Sequence, residues 1–83
     1  MVRYLSAQKA EIDIHEMTAD QAKRYIENFL RRVNPAVKEV TVIHGYSSGT
    51  VLLNMVRKQL KHPKIKSKVL SFVNPGITIL YLN

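Results

Sequence analysis

Val40-Thr41-Val42-Ile43, running straight into His44-Gly45-Tyr46-Ser47-Ser48-Gly49-Thr50, is the segment that decides the fold. β-branched residues at every one of the first four positions suit a strand buried in a sheet, because such side chains pack well on a pleated surface. The glycine- and serine-rich stretch that follows reads as a turn. Beyond it Val51, Leu52, Met55, Val56 and Leu60 lie on one apolar helical face, and His62-Pro63 stands near the helix end. Strand, turn and helix in this succession are the building block of an α/β sheet.

Upstream, Ala10-Glu11-Ile12-Asp13-Ile14-His15 alternates apolar and polar side chains, as a short strand does. Thr18-Ala19-Asp20-Gln21 has capping-box form with Thr18 as N-cap. Behind it Ala22, Tyr25, Ile26, Phe29, Leu30 and Val33 make a helical stripe that Asn34-Pro35 ends. Downstream, Val69 to Val73 and Ile77 to Leu82 read as two more strands. Asn74-Pro75-Gly76-Ile77 between them suits a type II turn, with Pro second and Gly third. The order β-α-β-α-β-β predicts an α/β two-layer sandwich, a mixed four-stranded sheet with two helices. Residues 1–9 are expected as an N-terminal arm and residues 10–83 as the domain. Tyr25, Phe29 and Phe72 are expected in the core. The last strand is apolar on both sides (Ile77, Ile79 and Tyr81 against Leu80 and Leu82). Its second face therefore calls for a cover, either the Val2-Tyr4-Leu5 segment or a second subunit in a homodimer.

The 83 residues make one small domain, and 46% apolar residues suffice for one two-layer core. The absence of cysteine excludes disulfides and thiolate metal sites and fits a reducing cytoplasm. The first residues are too short and polar for a signal peptide, and no apolar run approaches the roughly 20 residues of a membrane span. A soluble, cytoplasmic protein with no membrane partner is expected. The net charge is +7, unevenly spread. All six acids (Glu11, Asp13, Glu16, Asp20, Glu27, Glu39) lie in the first 39 residues with seven bases, so that half carries +1. From Val40 onward six bases (Arg57, Lys58, Lys61, Lys64, Lys66, Lys68) stand without an acid. A cluster of this kind suits a polyanion, since neutralising phosphates releases condensed counterions; the plainer reading is a solvated, solubilising rim.

In open α/β sheets ligands gather beyond the carboxyl ends of the strands. Asp13 and His15, two apart on the first strand, point to one side while Ile12 and Ile14 face the other. His44 closes the second strand, so on neighbouring strands these three side chains cluster. The turn from Gly45 to Gly49 leads into a helix N-terminus, whose free N–H groups and positive dipole end favour an anion. Gly45 and Gly49 allow a sharp turn and close approach, Ser47, Ser48 and Thr50 offer hydroxyls to phosphate oxygens, and Tyr46 offers a ring to an unpaired base. Two imidazoles and a carboxylate also suit a divalent metal, although the spacing does not imply one and no other cofactor is indicated.

Ile12-Asp13-Ile14-His15 before a helix resembles the Leu-Asp-Leu-His-Gly opening of Small MutS-Related (Smr) domains. Val42-Ile43-His44-Gly45-x-x-x-Gly49 resembles their second signature, His-Gly-x-Gly-x-Gly. The resemblance runs from about residue 10 onward and includes the closing hairpin. It implies the family's α/β sandwich and binding to DNA or RNA, with endonuclease activity in some members. By position, Asp13 and His15 match the first motif, and His44, Gly45 and Gly49 the second. Three residues depart: Glu16 stands where the family usually has glycine, Ser47 where the middle glycine belongs, and Tyr46 where lysine is common.

The leading expectation is a nucleic-acid-binding module that reads phosphate and shape. An alternative is an endonuclease in which His44 acts as general base or acid, Asp13 orients an imidazole and His15 supplies a second proton transfer or a phosphate contact. Another is a protein-interaction or ribosome-associated assembly domain, supported by the apolar second face of the last strand.

Overall fold

The computed structural model describes residues 1–45 and 50–83. Its elements are β1 (Val2–Tyr4), β2 (Lys9–Asp13), α1 (Ala19–Arg32), β3 (Glu39–Ile43), α2 (Val51–Asn54, continued by a π-helical turn at Met55–Gln59), β4 (Ile65–Leu70) and β5 (Ile77–Leu82). The strands form one mixed sheet in the order β1-β2-β3-β5-β4. β2 and β3 run parallel, with Asp13 opposite Ile43, and every other pairing is antiparallel. The α/β fold with two helices is as the element order predicts, but the sheet has five strands rather than four. The extra one is β1, which pairs with the free edge of β2 through Val2 opposite Ile12.

Burial alternates along the strands, with Ala10 and Ile12 of β2, Val40 and Val42 of β3, and Leu80 and Leu82 of β5 inside. These residues share one apolar core with Ala22, Ile26 and Leu30 of α1 and with Met55, Val56 and Leu60 after α2. Both helices therefore cover the same face, and each large side chain sealed there contributes roughly 1.5–3 kcal/mol. α1 starts as its capping box dictates: Gln21 N–H donates to Thr18 Oγ1 and Thr18 N–H donates to Gln21 Oε1, both at 3.2 Å. No helix among the described residues is long and apolar enough to cross a membrane.

Several expectations are corrected. Val51 is exposed at the start of α2, and after α2 the helix widens: Leu60 N–H donates to the Met55 carbonyl, five residues back, at 2.8 Å. That turn brings Met55, Val56 and Leu60 onto the core together. The fourth strand runs from Ile65 to Leu70 rather than from Val69 to Val73. Lys66 is the extra residue of a bulge there, since Ile65 pairs with Leu82 and Ser67 with Tyr81. Phe72 is not core: it and Val73 are 102% and 96% exposed at the tip of the β4–β5 hairpin. Tyr25 and Phe29 pack on the core's margin. The Asn74–Ile77 turn closes with a 3.3 Å bond from Ile77 N–H to the Asn74 carbonyl. It is not type II, because Gly76 lacks the positive φ that type II demands. The outer face of β5, with Ile77, Ile79 and Tyr81, stays half-buried. β1 does not cover it, lying on the far side of β2 and β3.

Candidate functional site

The parallel ends of β2 and β3 emerge at one corner of the sheet. Ile14 N–H donates to the Ile43 carbonyl at 2.9 Å, and this bond places His15 beside the chain that carries His44. Asp13 and His15 meet, but not along a strand: β2 ends at Asp13, and His15 turns back onto it from the turn that follows. His15 donates from Nδ1 to Asp13 Oδ1 at 2.5 Å, and its backbone N–H reaches the same oxygen at 3.1 Å. Glu16 Oε1 stands 3.6 Å from His15 Nε2. The hydrogen bond to Asp13 and the carboxylate's charge hold the exposed His15 ring above its ordinary pKa, with Glu16 adding to the effect. Partial burial pushes the Asp13 carboxyl up, but the two bonds from His15 and the attraction of its charge outweigh this and lower it.

His44 lies at the same corner in a different environment, only 2% exposed. Its Nδ1 is 2.9 Å from the Gly45 carbonyl, and a carbonyl only accepts, so Nδ1 carries the proton. Burial lowers the ring's pKa, the bond to Gly45 opposes this, and the charge of Arg57 reinforces it. The neutral ring then accepts at Nε2 from the hydroxyl of Thr78, 2.9 Å away on the buried face of β5. Both nitrogens of His44 are thus engaged, whereas His15 keeps Nε2 toward the surface. Thr78 was not among the residues singled out from sequence. The signal available was one hydroxyl in the otherwise apolar Ile77-Thr78-Ile79-Leu80.

Gly45 adopts φ +77°, a conformation that L side chains rarely tolerate, and a Cβ there would stand 3.3 Å from His15 Cβ. Gly76 backs onto Gly45, and its carbonyl accepts from His44 N–H and Gly45 N–H at 3.0 Å each. That close approach is why glycine occupies position 76. Of the remaining turn residues, Thr50 is exposed before α2 and accepts from Asn54 Nδ2 at 3.4 Å. Tyr46, Ser47, Ser48 and Gly49 lie outside the described residues. A cleft of about 350 Å³ opens at this corner, walled by His15, Glu16, Thr18, Ala19, His44 and Val51. A second, of about 380 Å³, lies on the other side of His15 against Asp13 and Glu16. His15, Glu16 and Met17 line both. Among the described residues no three His, Asp or Glu side chains are grouped to hold a metal ion.

The basic segment divides by task. Lys64 Nζ donates to the Leu30 carbonyl at 2.6 Å and the Arg31 carbonyl at 3.2 Å, closing the end of α1. Lys68 Nζ donates to the Arg57 carbonyl at 3.2 Å and to the Leu60 carbonyl, closing the second helix. Desolvation, with Lys61 nearby, lowers the Lys68 pKa. These two ammonium groups meet helix carbonyls, where a positive charge is favoured. Lys58, Lys61 and Lys66 are exposed. The charge of Arg57 reaches His44, and its Nε is buried with no hydrogen-bond partner among the described residues.

The Smr domain family model matches residues 12–77. The protein named endonuclease MutS2 from Lactococcus lactis subsp. cremoris (strain MG1363) is 33% identical over 70 residues, covering 82% of this chain and 9% of that protein. The endonuclease MutS2 of Lactococcus lactis subsp. lactis (strain IL1403) matches to the same extent. The chain thus spans 9% of the length of these relatives. The crystal structure of the Smr domain of Thermus thermophilus MutS2 has the same fold, with a TM-score of 0.78 at 18% identity over 88% of this chain and 96% of that one.

Proposed function

Because the chain belongs to the Smr domain family, we infer that it is a nucleic-acid-binding module that seats a backbone phosphate of DNA or RNA in the cleft between His15 and His44. The observation that carries this reading is the cleft itself. It opens beyond the carboxyl ends of two parallel strands, beside the start of α1, and its exposed wall is an imidazole held toward its cationic form. Arg57 adds a cation at the same corner, and Lys58, Lys61 and Lys66 extend the positive surface along the chain. Glu16 is the opposing charge, and an arriving phosphate displaces it from His15. Gel-shift titration with a short duplex and a single strand tests the reading. His15→Ala weakens binding to both, and affinity indifferent to that change overturns the placement.

The Asp13–His15 pair favours a second reading, phosphodiester cleavage. A carboxylate that fixes Nδ1–H leaves Nε2 to exchange a proton with a nucleophile or leaving group. In this arrangement His15 performs the proton transfer expected of His44, and His44 instead positions the Gly45 turn. Incubation with supercoiled plasmid and with structured RNA, each with and without EDTA, reads the activity. His15→Ala abolishes it, and cleavage that survives His15→Ala removes the reading.

A further inference from the structure

We propose that the β4–β5 hairpin tip, Phe72 with Val73, is a base-stacking site that engages an unpaired base next to the phosphate held at the His15–His44 corner. The proposal rests on the nucleic-acid reading above and adds to it a preference for unstacked strands. Phe72 and Val73 leave essentially their whole side chains in water, at 102% and 96% exposure, more than any other large apolar residue described. Phe72 contributes nothing to the core, so folding gives no reason for an aromatic ring there.

The turn that carries the tip is closed by three hydrogen bonds. Asn74 N–H donates to Ser71 Oγ at 3.1 Å, Gly76 N–H donates to Asn74 Oδ1 at 2.9 Å, and Ile77 N–H closes the turn on the Asn74 carbonyl. The far side of the same turn is bonded to the site, because the Gly76 carbonyl receives both His44 N–H and Gly45 N–H. The ring therefore stands at the same edge of the sheet as the cleft. The neighbouring corner identifies the partner's chemistry: the charge of Arg57 reaches His44 there, and the cleft between His15 and His44 is the proposed phosphate seat. An apolar ring beside an anion seat matches a ligand with flat apolar faces and a negative backbone, as an unpaired nucleotide has.

The test exploits the absence of tryptophan from the chain. Phe72→Trp installs a sole indole, whose emission is quenched on adding single-stranded DNA or RNA and much less on adding the blunt duplex. Phe72→Ala lowers affinity for the single strand about tenfold, the loss of one base–aromatic stack. It leaves duplex affinity and melting temperature unchanged. Phe72→Leu fails to restore the lost affinity, whereas Phe72→Tyr restores it. Rescue by leucine overturns the proposal in favour of a merely apolar contact. Unquenched indole emission, or a single-strand affinity unchanged in Phe72→Ala, overturns the stacking site while leaving the phosphate reading standing. Wild-type protein that binds neither probe overturns both.

Discussion

Replacing Thr78 with valine keeps the shape of the buried face of β5 but removes the hydroxyl that donates to His44 Nε2. A ring nitrogen left unpaired in the core costs about 1–3 kcal/mol, read as a lower denaturant midpoint with unchanged slope. The Asp13–His15 pair predicts a pH dependence whose sign follows from its two shifts. Asp13 lies below its ordinary 3.8, so its share of stability is present above that value and is lost as pH falls through the lowered one. His15 lies above its ordinary 6.5, so its share is complete below 6.5 and is lost as pH rises through the raised value. Thermal melts of wild type and Asp13→Asn therefore differ most between 3.8 and 6.5 and converge toward both extremes. A constant offset across pH would show that the pair is not the cause. Asp13 and His15 were legible as neighbours from their spacing of two, although β2 ends at Asp13 and His15 reaches the carboxylate from the turn that follows. The task of His44 was not legible, since its partner Thr78 sits 34 residues further along the chain.

At the scale of elements, the lysines on either side of the start of β4 are unequal. Lys64→Ala removes the ammonium that closes α1 and costs about 1 kcal/mol or more, whereas Lys66→Ala, exposed at the bulge, stays within about 0.5 kcal/mol of wild type. Chemical denaturation of the two variants side by side checks this; equal stabilities would mean that Lys64 is only surface charge. α1 was readable to its cap because the capping box and the apolar stripe are local signals. β1 was not, because three residues become a strand only when the edge of β2 offers its hydrogen bonds. The start of β4 was hidden by alternating lysines, two of which, Lys64 and Lys68, cross to helix ends that the sequence does not display. Phe72 was misplaced by the rule that aromatic residues go inside, which gives no account of a ring in a hairpin turn.

For the whole molecule, the division of charge sets the strength of the salt effect. With Lys64 and Lys68 occupied by helix carbonyls, Arg57, Lys58, Lys61 and Lys66 are the cations of the basic segment left for phosphates. If each neutralises one, log affinity for a duplex falls against log salt with a slope of about −4. A titration from low to physiological salt reads it, and a flat response would remove backbone phosphate as the main contact. The corner itself has a temporal consequence. The carbonyl that receives the amides of His44 and Gly45 belongs to Gly76, so a chain still being synthesised has two strand ends and no acceptor for them. The pocket is therefore complete only once the β4–β5 hairpin has closed the long loop back to β3. Deuterium uptake at those two amides should then follow opening of the whole domain rather than local fraying.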